Sequence, residues 1–401
     1  GIAEIAADLR KRDIGFLIRI GDPVVVVGEL GRAADLLVCD RGYLRVQRDW
    51  RNRVAQACDC RVVQIEDNLV VPVETASAKR EYAARTIRPK ITGRLPQFAA
   101  SLDLPEAAVR YPPGPSQALP AGFEGCDTVA LSRRLNVDRS VAPVTRFYRG
   151  GPREALRRLN DFIRDGLSGY EEHRSEPCLD AGSHLSPYLH FGNLSPVRIL
   201  AAINDAATGN AHREQADASA AAYIDELTVH RELAANFVYY TSDYDSYTAL
   251  PDWARGTLAR HRGDRRSPLY SAEQLEAAQT HDSYWNAAMI EMRETGYMHN
   301  YMRMYWGKKV LEWTESPEEA FDTLLAINNR YFLDGRDAAS YASVGWIFGL
   351  HDRPWKERPV FGTVRYMAAS GLERKFDMVA YLGRVEAQVG VSAWRSRRIV
   401  D

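Results

Sequence analysis

Absences narrow this 401-residue sequence before any motif does. No apolar run reaches the roughly 20 residues that a membrane-spanning helix needs. The opening GIAEIAADLRKRD has neither the apolar core nor the cleavage pattern of a signal peptide. The expectation is a cytoplasmic protein, nuclear in a eukaryote, with no membrane partner. Five cysteines include no CxxC pair and no histidine-rich zinc spacing, so reduced thiols and no metal centre are expected. Net charge is nearly absent as well: 52 basic and 53 acidic side chains leave −1, and only their local distribution could speak for nucleic acid. Neither a GxGxxG turn nor a Walker loop follows any strand-like run, which excludes the usual dinucleotide cradle at a sheet edge. Internal repeats and low-complexity segments are missing too.

What is present is an ordinary globular composition, 45% hydrophobic and 26% charged, with length for two domains. Residues 1–95 alternate helical and β-rich runs. Helices are expected at 4–12, 28–34 and 45–58, and strands at 15–20 (GFLIRI), 36–39 and 62–65. That alternation predicts a parallel sheet covered on both faces, in a Rossmann-like α/β arrangement. Residues 96–150 carry Pro105, Pro112, Pro113, Pro115, Pro120 and Pro143, a density that prevents long helices and reads as an extended linker. From 151 to 401 strand signals nearly vanish. Helical patterns follow at 152–167, 196–206, 219–240, 271–278, through the central stretch 281–355 and at 362–370, ending near Tyr381, before a basic tail, WRSRRIVD. The second domain is expected to be all-α.

Residues 281–355 hold Trp285, Trp306, Trp313, Trp346 and Trp355, five of the eight tryptophans. Met298, Tyr301, Met302, Tyr305 and Val310 recur there at helical steps, interrupted by the charges Glu294, Arg303, Lys308 and Lys309, of which one is expected to face inward. Four features suit chemistry. SHLSPYLHFG (183–192) offers hydroxyls and free N–H groups before a helix, a place for phosphate or a plain capping loop. Asp334-Gly335-Arg336-Asp337 offers carboxylates for a ribose or a buried arginine such as Arg303; a turn with a surface ion pair would look the same. Glu226 and His230, four apart, share one helix face and suit proton handling in a pocket or an exposed rim pair. Trp306 and Trp313, seven apart, with Trp285 on the preceding helix, are core fillers or a path for electrons.

WNAAMIEM, TGYMHNYMRMYWGKKVLEWTESPEEAF, NNRYFLDGRDAASY and HDRPWKERPVFGTVRYM, with SHLSPYLHFG and DELTVHRELAANFVYY, closely resemble the class II cyclobutane pyrimidine dimer photolyases of the photolyase/cryptochrome family. VPVETASAKREYAARTIRPKI resembles the end of that family's antenna domain. The resemblance covers nearly the whole chain in consistent order.

It implies an α/β antenna-type domain (1–95), the linker (96–150) and a helical domain (151–401) holding FAD in a bent shape. It also implies light-driven repair of ultraviolet-damaged DNA by a monomer. Excited FADH⁻ gives an electron to a flipped-out pyrimidine dimer, the ring splits, and the electron returns. By this resemblance Asn328 faces flavin N5, and Arg303 and Asp334 form a buried salt bridge beside the isoalloxazine. Asp337 lies near the ribityl or adenosine side, and Tyr170, Ser183, Leu185 and Ser186 hold the diphosphate. Glu226 contacts the damaged bases, Met304 and Trp346 pack on the dimer, and Arg174 contacts DNA. Trp313, Trp285 and Trp306, in that order outward from the flavin, refill it with electrons. Lys356, Arg358 and Arg365 are candidates for phosphate contacts.

Two departures are visible. His230 stands where some photolyases place a tryptophan against the dimer, which predicts weaker stacking and poorer affinity with activity kept. The chain also opens at a helix where the family has an earlier strand and helix, which predicts an open sheet edge. That weakens the case for an antenna pocket holding a deazaflavin or a folate. A cryptochrome-like photoreceptor is the alternative reading, since fold does not settle function. Glu226, Met304, Trp346 and Arg174 favour repair, as does the lack of a long tail after Tyr381. Repair of (6-4) photoproducts would call for a histidine pair at the lesion, and His230 alone supplies one.

Overall fold

The computed structural model describes residues 1–99, 106, 108, 128–208 and 213–390. Near the start, Asp22 decides local structure. Its carboxylate accepts hydrogen bonds from the Val24 and Val25 N–H groups, with Pro23 in the first turn, and starts the helix Pro23–Gly31. This cap overrides the β preference of four consecutive valines and moves the helix ahead of its expected place at 28–34. Strands β1 (Leu36–Asp40) and β2 (Arg61–Ile65) pair in parallel, Leu36 opposite Arg61, with the helix Arg45–Ala57 as the crossover. Residues 15–20 form no strand: a strand exists only through a hydrogen-bonded neighbour, and GFLIRI finds none among the described residues. Nor are both faces of the sheet covered, because Leu36, Val38 and Ile65 remain exposed.

A strap of residues 66–82 ties this unit to the helical part. Glu232 on the helix Arg231–Tyr240 accepts from the N–H groups of Val70 and Val71, at 2.8 and 3.2 Å. On the same helix Asn236 accepts from the Glu81 N–H at 2.7 Å, and the Tyr240 hydroxyl donates to the Ser77 carbonyl. Arg231 reaches back to the carbonyl and side-chain oxygens of Asn68. One buried core gathers around Trp285, Trp306 and Trp313, and a second joins the strap to the helices Pro152–Asp161 and Pro196–Thr208.

The helix expected at 219–240 is three pieces: Arg213–Ile224, a π-helical stretch Asp225–His230, and Arg231–Tyr240. Such wide turns concentrate at functional sites, and this one carries Glu226 and His230. The helix expected at 362–370 is absent. Gly362 adopts φ +51°, and a Cβ there would stand 2.2 Å from the Thr257 hydroxyl, so the chain turns and the helix begins at Ala369–Lys375. A further helix, Met378–Val389, runs beyond the expected end at Tyr381, with Asp377 capping its start. About half of the expected linker, 100–105, 107 and 109–127, and the WRSRRIVD tail lie outside the described residues; Leu95–Phe98 and Thr128–Arg133 are short helices. Among the described residues no helix is long and apolar enough to cross a membrane.

Candidate active site

A cavity of about 550 Å³ opens among the helices Arg231–Tyr240, Asn300–Trp313 and Ala338–Ile347, the π turn and the 183–192 loop. Its size is that of a site for a cofactor or a small ligand. Fourteen of the sixteen residues assigned from the sequence line it, and only Trp285 and Trp313 do not.

At one end the loop places Ser183, Leu185 and Ser186. His184 sits at φ +53° and Leu185 in the right-handed region, so successive N–H groups can turn toward one side, as in an anion nest. His184 is fixed by donating from Nε2 to Asp180 at 2.6 Å and accepting from the Tyr148 hydroxyl at 2.8 Å. Ser183 Oγ accepts from the buried Tyr223 hydroxyl at 3.0 Å. Tyr170 packs edge-on against Phe162 and Tyr223, and burial pushes its phenol up to about 12.

The LDGRD turn supplies the middle. Arg303 Nη2 donates to both Asp334 oxygens, at 3.1 and 3.2 Å, and its guanidinium lies 3.7 Å over the Phe332 ring. Gly335 permits this turn, since a Cβ would fall 2.9 Å from the Asn328 carbonyl oxygen. Asp337 caps the helix Ala338–Ile347 through the Ala339 N–H and accepts from His190 Nδ1 at 3.0 Å. Burial pushes its carboxyl up, but His190, the Arg231 charge and the Ala339 N–H outweigh that and hold it below the usual carboxylate range. Asn328 is 4% exposed and donates from Nδ2 to Asn329 Oδ1 at 3.2 Å.

At the open end Glu226 and Arg174 pair at 2.5 Å, each about one-third exposed, so the acid and the expected DNA contact are one ion pair. Burial pulls the Arg174 pKa down, but hydrogen bonding and Coulomb attraction from Glu226 outweigh that and raise it. The His230 ring is parallel to Trp346, with centroids 6.0 Å apart, and its Nε2 lies 3.4 Å from Asp225, which also binds Arg88. Met304 and Arg365 complete this wall, whereas Lys356 and Arg358 are exposed outside it.

The tryptophans connect in reverse of the expected order. Trp306 lines the cavity and stacks on Trp285 at 6.4 Å, and Trp285 meets Trp313 at 5.8 Å. Trp313 is the far member, packed on Tyr270 and His281. The cause is geometric: Trp306 and Trp313 share a helix, but seven residues along it Trp313 has passed the cavity's end. The Trp285 indole donates to the Trp306 carbonyl at 2.9 Å, while the buried Trp306 Nε1 has no partner.

Residues absent from the sequence-based set also line the cavity: His184, His190, Tyr223, Arg231 and His351. His190 lay within the SHLSPYLHFG motif and could have been taken from it. Arg231 lay within DELTVHRELAANFVYY and His351 opened HDRPWKERPVFGTVRYM, but nothing in their spacing set them apart from their neighbours. His351 donates from Nδ1 to the Tyr82 carbonyl at 2.7 Å from a left-handed backbone, and burial pulls its pKa down to about 4.

The DNA photolyase family matches residues 1–110. A deoxyribodipyrimidine photo-lyase of Methanothermobacter thermautotrophicus is 41% identical over 388 residues, covering 96% of this chain and 82% of that protein. One from Oryza sativa subsp. japonica is 39% identical over 408 residues, covering 99% and 78%. Among solved structures, a class III photolyase from Agrobacterium tumefaciens superposes with TM-score 0.71 at 18% identity, covering 97% of this chain and 76% of that one. A Synechocystis cryptochrome gives 0.67 at 16%, covering 99% and 83%. At these identities the superpositions establish the α/β-plus-helical fold, and the sequence relatives establish the enzyme class. The chain belongs to the DNA photolyase family, the photo-lyases of DNA repair.

Proposed function

We propose that the protein is a class II-type photolyase that repairs cyclobutane pyrimidine dimers with FAD held in the helical cavity. The observation that carries this reading is one cavity lined at one end by the 183–186 loop and at the other by Glu226, Met304, His230 and Trp346, with Asn328, Arg303 and Asp334 between. The donor set suits a flavin dinucleotide. It has backbone N–H groups and hydroxyls for a diphosphate and an ionised Asp337 for a ribose. It also has a buried amide able to donate and accept, and an orphan indole N–H on Trp306.

Bound there in reduced form, FAD would supply the light-driven electron-transfer chemistry that dimer splitting needs. The chain's own residues do the rest. Asn328 presents its amide to the flavin ring edge, and the Arg303–Asp334 pair sets the charge alongside it. Arg174 orients Glu226, whose carboxyl hydrogen-bonds the damaged bases, while Met304, Trp346 and His230 wall the dimer in and exclude water. Trp306, Trp285 and Trp313 form a chain leading away from the cavity that would relay electrons from an external reductant, such as a thiol, to oxidised flavin. In this reading residues 1–95 are the antenna-type domain, 96–150 the linker and 151–401 the catalytic domain. The protein works as a monomer in the compartment that holds the DNA.

The test is an absorption spectrum of the purified protein followed by titration with a duplex carrying one thymine dimer and with its undamaged counterpart. A flavin spectrum with preference for the dimer supports the proposal. Bound, photoreducible flavin with no preference would favour the photoreceptor alternative.

A further inference from the structure

Of Glu294, Arg303, Lys308 and Lys309, the four charges expected to interrupt the apolar tryptophan stretch, Lys308 alone is completely buried. Its Nζ donates to the carbonyl oxygen of Ile347, the last residue of the helix Ala338–Ile347. The following N–H groups do not serve that carbonyl: Phe348 and Leu350 bond Gly345, and Gly349 bonds Trp346. A cation therefore satisfies an orphan acceptor at the negative end of a helix dipole. The two helices meet closely here, since a Cβ at Gly307 would stand 2.7 Å from Ile347 Cδ1. Trp346 and Ile347 both line the cavity, as do Met304 and Trp306 just before Lys308. Neighbouring Lys309 turns away, bonding Glu312 at 2.6 Å.

We propose that Lys308 is a positioning residue of the lesion pocket: its ammonium closes the C-terminal end of the Ala338–Ile347 helix and fixes Trp346 in the wall that receives the dimer. This rests on the functional reading above. The charged form makes the stronger bond. Burial pulls Lys308 down to about 7, Asp352 in the turn after the helix opposes that, and Arg365 on the cavity wall adds to it. Loss of the proton as pH rises through that value therefore loosens the hold on Trp346. His351, in the same turn, stays neutral throughout this range.

The experiment compares flavin-loaded wild type with Lys308→Met, measuring affinity for a thymine-dimer duplex and for undamaged duplex from about pH 6 to about pH 9. The wild-type preference for the dimer should fall about tenfold across that range, the effect of losing about 1.4 kcal/mol. Lys308→Met should show a low, level preference, with flavin content and undamaged-DNA affinity unchanged. A merely structural role would lower flavin content and both affinities together. Equal preference and equal pH response in the two proteins would overturn the proposal. Should the variant not retain flavin, the wild-type series decides, and a preference that stays level with pH overturns it. A wild type that never prefers the dimer contradicts the reading of the cavity itself, a failure separate from that of Lys308.

Discussion

Glu232 lies at the junction of strap and cavity helix, and replacing it with glutamine probes how that junction responds to pH. The carboxyl is 2% exposed; Oε1 accepts the Val70 and Val71 N–H groups, and Oε2 has no partner. Burial is the dominant influence and raises its pKa from 4.5 to about 8, against the two N–H bonds and the Arg231 charge. The folded protein thus keeps a proton that the unfolded chain releases. This contribution is fully present below about pH 4.5 and is lost as pH rises through about 8, up to roughly 5 kcal/mol in total. Glutamine keeps the Oε1 acceptor and cannot ionise. In thermal unfolding of the flavin-loaded proteins followed by circular dichroism, wild type and Glu232→Gln should match within about 1 kcal/mol near pH 5, and the variant should be more stable by about 2–5 kcal/mol near pH 9. A difference between the two proteins that does not change with pH would refute the reasoning.

Trp306→Phe should abolish most light-driven reduction of bound oxidised flavin, while chemically reduced variant repairs at the wild-type rate; unchanged photoreduction would remove Trp306 from the electron path. Asn328→Ala should bind FAD yet accumulate less reduced flavin under illumination, read from the visible spectrum. Glu226→Gln should slow repair about tenfold through loss of one charge-assisted hydrogen bond, measured by single-turnover kinetics of the reduced enzyme. Asp334→Ala leaves the Arg303 guanidinium partly buried and unpaired, at a cost of about 2–4 kcal/mol, and flavin retention on a desalting column should drop accordingly.

The helical pattern of the tryptophan stretch was legible because apolar spacing reports the period directly, and the LDGRD and SHLSPYLHFG blocks pointed to residues that do meet at one cavity. Other features had no such signature. The π turn at 225–230 changes backbone pairing without changing composition, so the sequence shows only an uninterrupted helix. Residues 15–20 alternate like a strand, but pairing is a property of the neighbour and not of the segment. The order of Trp306, Trp285 and Trp313 from the cavity depends on where along the shared helix the cavity lies, which spacing alone leaves open. Arg231 and His351 reach the cavity through the Asn68 strap and a left-handed turn, both tertiary in origin.

The most direct test of the whole account is repair itself. Purified protein, chemically reduced, is mixed with a duplex containing one cyclobutane thymine dimer and a second containing a (6-4) photoproduct, and each is followed in blue light and in darkness. Loss of the cyclobutane dimer in light alone, with the (6-4) lesion untouched, is the predicted result. Dimers that persist under illumination despite bound, fully reduced flavin would contradict it.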